Sequence, residues 1–200
     1  MSHTLILGTT NPGKLRELVE LLAPHGIACR SLAGLTDAVA VDETGKTFAD
    51  NAALKATLQA QALGGWVLAE DSGLVVPVLG DAPGIYSARF SGPDATDSAN
   101  NALLLEKLGG ITGSRRAAHY ACHAALADPS GTVVATSFGT CSGFISEEAA
   151  GGGGFGYDPL FIVAEYHRTF GELSAAVKAV ISHRARAMRA MLPAILRHLG

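Results

Sequence analysis

Apolar residues fall along this chain in short runs and helical stripes, broken by segments rich in glycine, proline and acidic residues. Thr4 to Gly8 is a compact apolar run and reads as a strand. It is followed over residues 12 to 25 by Leu15, Leu18, Leu21 and Leu22, spaced as one face of a helix. Pro12 suits the first turn of that helix, where the N–H it lacks would have no intrahelical partner. A second helix is predicted over residues 47 to 63, with Phe48, Ala52, Leu54 and Leu58 partly periodic. Trp66 to Ala69 predicts a strand that runs into Glu70-Asp71-Ser72-Gly73, with Ser72-Gly73 read as a sharp turn at a sheet edge. A third helix is predicted over residues 96 to 108. Residues 115 to 127 and 132 to 143 read as two strands joined at Pro129-Ser130-Gly131. Met188, Met191, Leu192, Ile195 and Leu199 mark one face of a terminal helix, with Arg186, Arg189 and Arg197 on a solvated opposite face. Early strand–helix units followed by a hairpin and a helix predict an α/β fold, a mixed sheet with helices on both sides. No repeat or linker divides the chain, so residues 1 to 200 are expected to form a single domain, with two closely joined lobes as an open variant.

Composition narrows the class. The chain has 200 residues, 48% hydrophobic and only 16% charged, which excludes intrinsic disorder and supports a sizeable core. Its formal net charge is −3 with no cationic block, the opposite of a protein that binds long nucleic acid by neutralising phosphates. Cys29, Cys122 and Cys141 are few, odd in number and widely spaced, so neither a disulfide framework nor a zinc site is expected. The segment MSHTLILG lacks the basic flank and length of a signal peptide, and no run approaches the ~20 apolar residues of a membrane span. The expected setting is the cytoplasm.

Four groups of residues carry chemistry. Thr9-Thr10-Asn11-Pro12-Gly13-Lys14 sits where a strand gives way to a helix, so backbone N–H groups and the helix dipole favour an anion. The Walker A pattern is absent; an ordinary strand-to-helix turn capped by threonine is the alternative. Glu43, Asp50, Glu70 and Asp71 form an acidic set able to hold Mg²⁺ or to take a proton from water, against an Asx turn at Asp71-Ser72. GGGGFGYDP, from Gly151 to Pro159, places Phe155 between glycines and follows it with Tyr157 and Asp158. That suits a ring stacked on a planar ligand with Asp158 accepting hydrogen bonds, or a flexible loop whose Phe155 caps the core. Lys178 and Ser182-His183-Arg184 supply hydrogen-bond donors near the start of the terminal helix, against a Ser182 cap flanked by surface basic residues. His119, His123 and His167 lack comparable context and are assigned structural roles.

Together these pieces resemble the inosine triphosphate pyrophosphatase family, the Ham1-like non-canonical purine nucleoside triphosphatases. The markers are TTNPGK at 9 to 14, ETGKTFADNAALKA at 43 to 56, AEDSGL at 69 to 74, APGIYSARFSG at 82 to 92, GGFGYDPLF at 153 to 161 and ISHR at 181 to 184. The resemblance implies Mg²⁺-dependent hydrolysis of ITP, dITP and XTP to the monophosphate and pyrophosphate, cleansing the nucleotide pool. By the same similarity Asp71 is the proton acceptor and a metal ligand, and Glu43 a second metal ligand. Thr9, Thr10, Asn11, Pro12, Gly13 and Lys14 correspond to the triphosphate turn; Lys55 and Ser72 are further substrate contacts. Phe155, Gly156, Tyr157 and Asp158 match the segment that embraces the nucleoside, and Lys178, His183 and Arg184 the base-recognition positions. The implied fold is a strongly twisted mixed sheet in two lobes, of the Ham1/Maf type, with the active site in the cleft between them. A homodimer is implied as well; no nucleic acid or membrane partner is expected.

The chain departs from the family pattern at Thr10, where glycine is usual, at Glu70, where aspartate is frequent, and at Val177 and Ala179, where more polar residues flank the lysine. Two rivals are weighed. A Maf-like enzyme acting on other nucleotides is opposed by GGFGYD and SHR, and a nucleotide sensor without turnover by the presence of both Glu43 and Asp71.

Overall fold

The computed structural model describes residues 4–199. Seven strands form one sheet: β1 (Leu5–Leu7), β2 (Cys29–Ser31), β3 (Val67–Val75), β4 (Ala117–Ala127), β5 (Val133–Ile145), β6 (Phe161–Val163) and β7 (Arg168–Thr169). Their order is β2-β1-β3-β4-β5-β6-β7. Strand β1 runs parallel to β2 and β3, whereas β5, β6 and β7 pair antiparallel, so the sheet is mixed as expected. Five α-helices accompany it: α1 (Pro12–Leu22), α2 (Phe48–Leu63), α3 (Asp97–Lys107), α4 (Ala175–Ile181) and α5 (His183–Leu199). Among the described residues no helix is long and apolar enough to cross a membrane.

Helix starts follow the sequence closely. Asn11, not a threonine, caps α1 by accepting from the Lys14 N–H at 3.0 Å, and Pro12 occupies the first turn. Thr47 and Asp50 cap α2 reciprocally, Thr47 Oγ1 accepting from Asp50 N and Asp50 Oδ2 from Thr47 N, both at 3.1 Å. Such a cap is worth about 1 kcal/mol. The first helix stops at Leu22 rather than continuing to residue 25. Pro24 cannot donate to the helical ladder and its ring crowds the preceding turn, so Ala23–His25 tightens into a 3-10 turn. The terminal stripe behaves as predicted: Met188, Met191, Ile195 and Leu199 are buried, while Arg186, Arg189 and Arg197 are exposed.

One expectation fails outright. Ser72-Gly73 is not a turn at a sheet edge: with Glu70 and Asp71 it lies in the middle of β3, which has strands on both sides. Ladder pairing in a central strand overrides the turn preference of Asp, Ser and Gly.

The chain divides into two compact units. The first comprises residues 1–71, 122–139 and 183–200. In it Leu5, Leu7 and Leu68 pack with Leu18 and Leu22 of α1 and with Met188, Met191 and Ile195 of α5. Side chains alternate along a strand, so Ile6, Val67 and Ala69 serve the other face and meet Ala52, Ala56 and Ala60 of α2. The second unit comprises residues 72–121 and 140–182. Its core joins Leu74, Leu104 and Leu108 to an aromatic group in which Tyr120 lies 4.7 Å from Phe161, and Phe161 lies 5.5 Å from Phe170.

Candidate active site

The alternation that builds the first unit also separates its two central carboxylates. Glu70 follows Leu68 onto the face covered by α1 and α5; Asp71 follows Val67 and Ala69 onto the face covered by α2. Both are buried, Glu70 at 1% and Asp71 at 5% exposure. The acidic set read from the sequence therefore resolves into three roles. Asp50 caps α2, Glu70 joins a buried ion-pair cluster, and Glu43 and Asp71 share one cation.

That cation is Lys55. Its Nζ donates to Glu43 Oε1 at 2.6 Å and to Asp71 Oδ1 at 3.2 Å. One turn earlier on α2, the Asn51 amide donates to Asp71 Oδ2 at 3.1 Å. Burial pushes the Asp71 carboxyl above the ordinary aspartate range, opposed by Lys55 and Lys14 and aided by the Glu43 charge. Burial acts to lower the Lys55 pKa, but Asp71, Glu70 and Glu43 outweigh it and raise the ammonium above its ordinary value.

On the opposite face, Lys14 Nζ lies 3.2 Å from Glu70 Oε1. The same oxygen receives Arg184 Nε and Nη2, each at 3.2 Å, and Arg184 Nη1 donates to Glu17. Arg184 is only 1% exposed. Burial opposes its charge, yet Glu70 and Glu17 more than offset this and raise its pKa. Cys122 Sγ sits 3.6 Å from Glu70 Oε2, and burial pushes that thiol well up. The turn from Thr9 to Lys14 is held against this scaffold by Gly8, whose N–H donates to Leu68 O at 2.8 Å. A Cβ at Gly8 would come within 2.9 Å of Ala69 Cβ, so the turn approaches β3 as closely as it does because residue 8 has no side chain. Thr10, Asn11 and Pro12 are exposed on this turn, with Thr9, Gly13 and Lys14 half-buried.

In the second unit the glycine-rich segment is pinned. Asp158, 2% exposed, accepts from Phe155 N at 2.9 Å and from Lys178 Nζ at 2.5 Å, and meets Tyr120 Oη at 3.5 Å. Gly156 N donates to Asp97 Oδ2 at 2.7 Å, and Asn101 Nδ2 donates to Gly156 O at 3.0 Å. Gly154 has φ +77°, and a Cβ there would run into the Asp158 carboxylate. The Lys178 ammonium stands 4.7 Å from the centre of the half-buried Phe155 ring and 5.6 Å from that of Phe170. Tyr157 donates to Ser87 O at 2.8 Å; burial, with the Asp97 charge, raises its phenol.

The residues predicted from sequence thus fall into defined groups. Glu43, Lys55 and Asp71 come together directly, and Lys14 reaches Glu70 beside them in sequence but across the sheet. Phe155, Asp158 and Lys178 form a second set with Gly156 and Tyr157 adjoining. Lys178 and Arg184, read as one cluster, instead take separate carboxylates, because Lys178 belongs to the short helix α4 and Arg184 to the first turn of α5. His183 is buried at 3% exposure, and Ser72 continues β3 after Asp71. Sequence reasoning passed over Asn51 and Glu17, and assigned His123 a structural role. Asn51 and Lys55 are four residues apart on a helix, and that spacing was the available signal. His123 lies on the α2 face of β4, 6.5 Å from the Phe48 ring and 4.4 Å from the Phe138 ring. Burial lowers its pKa, with the Asp71 charge pulling the other way.

Two carboxylate oxygens that converge on one positive charge are the donor chemistry a hard divalent cation uses. Mg²⁺ takes one or two protein carboxylates and completes its shell with water and phosphate oxygens. Glu43 and Asp71 fit that pattern, although among the described residues no group of three or more His, Cys, Asp or Glu forms a cage.

Comparison with known proteins agrees along almost the whole chain. The family model described as the Ham1 family matches residues 5–194. A dITP/XTP pyrophosphatase of Rhodopirellula baltica is 51% identical over 193 residues, covering 96% of this chain and 93% of the relative. One from an Exiguobacterium species is 54% identical over 185 residues, covering 92% and 93%. The solved structure of a HAM1 protein from Coxiella burnetii superposes with a TM-score of 0.87 at 34% identity, covering 98% of this chain and 99% of that one.

Proposed function

Since the chain belongs to the Ham1 family, we infer that it is a nucleoside-triphosphate pyrophosphatase that hydrolyses non-canonical purine nucleoside triphosphates, dITP and XTP among them. The observation that carries the chemistry is the Glu43–Lys55–Asp71 arrangement, two carboxylates bridged by one ammonium on a buried sheet face. Water attacks the α-phosphorus, the bond from that phosphorus to the bridging oxygen breaks, and pyrophosphate leaves. Asp71 accepts the water proton, a role suited to a carboxylate whose pKa burial holds above the ordinary aspartate range. The Lys14 ammonium and the positive end of the α1 dipole draw charge from the triphosphate. Lys55 holds both carboxylates in register. A Mg²⁺ ion held by Glu43 and Asp71 would supply further neutralisation of the phosphate oxygens.

The purine is assigned to Phe155, Gly156, Tyr157, Asp158, Lys178, His183 and Arg184. Donors there suit O6 of hypoxanthine or xanthine; adenine presents an amino group instead, leaving donors opposed at a cost of about 1–3 kcal/mol per group. Asp158 acts in this reading by fixing Phe155 and Lys178, since its carboxylate is already bonded to both. A homodimer in the cytoplasm completes the proposal on the strength of the sequence resemblance, and light scattering of the purified protein checks the dimer.

The direct test is release of pyrophosphate from dITP, ITP, XTP, GTP, ATP and dTTP, with Mg²⁺ and with EDTA. Release from the first three, far above the others and abolished by EDTA, is expected. Orthophosphate as product, equal rates across the panel, or binding without turnover would each overturn the reading. Phe155→Ala is expected to raise KM for every purine substrate by about 5- to 150-fold, the equivalent of 1–3 kcal/mol of lost base–aromatic stacking. Unchanged KM across the panel would remove Phe155 from the purine site.

A further inference from the structure

Asn51 is fully buried, at 0% exposure, and uses both ends of its amide. Its Nδ2 donates to Asp71 Oδ2 at 3.1 Å, and its Oδ1 accepts from the Gly45 N–H at 2.8 Å. The Gly45 N–H can only donate, so the amide has one orientation: oxygen toward residue 45, nitrogen toward Asp71. Gly45 is two residues from Glu43, on the segment that leads into the cap of α2. Lys55 projects from the same helix one turn later and meets Glu43 and the other oxygen of Asp71. A closed ring results. Asn51 ties Asp71 and the Glu43 segment through neutral hydrogen bonds, and Lys55 ties the same two through charge.

We propose that Asn51 is a positioning residue for the reaction. By holding Asp71 Oδ2 while Lys55 holds Oδ1, it fixes the plane and orientation of the carboxylate. It also anchors the Glu43 segment at Gly45, so that both carboxylates are set by one helix. The inference rests on the pyrophosphatase reading for its chemistry, but the hydrogen-bond ring stands independently of it. Gly45 offers a way to disturb the ring without replacing a charged group, although a Cβ there also comes within 2.6 Å of Asp50 Cβ. A Cβ at residue 45 would lie 2.5 Å from Asn51 Oδ1, and the backbone there is not left-handed, so alanine is opposed by that neighbourhood alone.

The experiment compares wild type, Asn51→Leu and Gly45→Ala by dITP hydrolysis, thermal unfolding and amide hydrogen exchange. Both variants are expected to lose about 10- to 100-fold in kcat, the scale of a small misplacement of reacting groups, with KM within roughly threefold. The Gly45 amide is expected to be protected in wild type and to exchange rapidly in Asn51→Leu. Should Asn51→Leu fail to fold, Gly45→Ala carries the test. Unchanged kcat in the folded variants overturns the proposal, as does a loss of activity that only follows the folded fraction. Rapid exchange of the Gly45 amide in wild type also overturns it. Failure of wild type to release pyrophosphate would instead overturn the pyrophosphatase reading, and is seen in the same assay before any variant is compared.

Discussion

Asp71→Asn is expected to lower kcat by about 10²- to 10⁴-fold, the usual contribution of a positioned general base, while nucleotide affinity stays within a few-fold. Asparagine has the shape of aspartate but cannot accept the water proton. Its amide also meets a conflict at this position. Asp71 accepts from Asn51 Nδ2 through one oxygen and from Lys55 through the other. An asparagine presents an oxygen to only one of these donors and an NH₂ to the other, so one contact becomes donor against donor. That leaves a buried donor unsatisfied and is expected to cost about 1–3 kcal/mol of stability. Steady-state kinetics with a direct binding titration separates the two effects. Turnover close to wild type would remove Asp71 from the chemistry.

Arg184→Ala is expected to be the most destabilising single change in the first unit, by about 3–5 kcal/mol, lowering the unfolding midpoint by roughly 6–20 °C. The guanidinium is buried with Glu70, which also receives Lys14, and with Glu17. Removing it leaves Glu70 facing Lys14 with one cation fewer in a water-poor site, and opens space beside α5. Glu17→Ala should cost less, because the Glu17 side chain is 14% exposed and Arg184 keeps Glu70. Replacing the buried pair together, as Glu70→Gln with Arg184→Met, is expected to cost less than the two single changes summed. Thermal and denaturant unfolding of the five variants gives the comparison. A loss under 1 kcal/mol for Arg184→Ala would show that the cluster contributes little to stability.

Much of the framework was legible in the chain. The helices at 47 to 63 and 96 to 108 fall within a residue or two of α2 and α3, because both begin at a threonine cap followed by an acidic residue in the first turn. The strands at 115 to 127 and 132 to 143 likewise match β4 and β5 around a turn built on Asp128. The short strands β2, β6 and β7 were not read, since two or three residues carry no period of their own. Nor was α4, whose seven residues were taken as the approach to the terminal helix.

The sequence by itself determined the mixed α/β class, the position of the strand-to-helix turn at residues 9 to 14, the glycine-bounded Phe155 and, through its ordered motifs, the family. These are local signals: periodicity, caps and motif spacing need no knowledge of what packs on what. Only the tertiary structure decided partnership. Glu70 and Asp71 are neighbours in the chain, yet the two-residue repeat of β3 sends one toward Arg184 and Lys14 and the other toward Lys55 and Asn51. That repeat was hidden because the turn preference of Asp-Ser-Gly read more strongly than a strand with two buried carboxylates. A buried carboxylate must find its counter-charge wherever the fold supplies one. Here the fold draws them from a helix more than a dozen residues earlier and from another more than a hundred residues later, distances that no local pattern encodes.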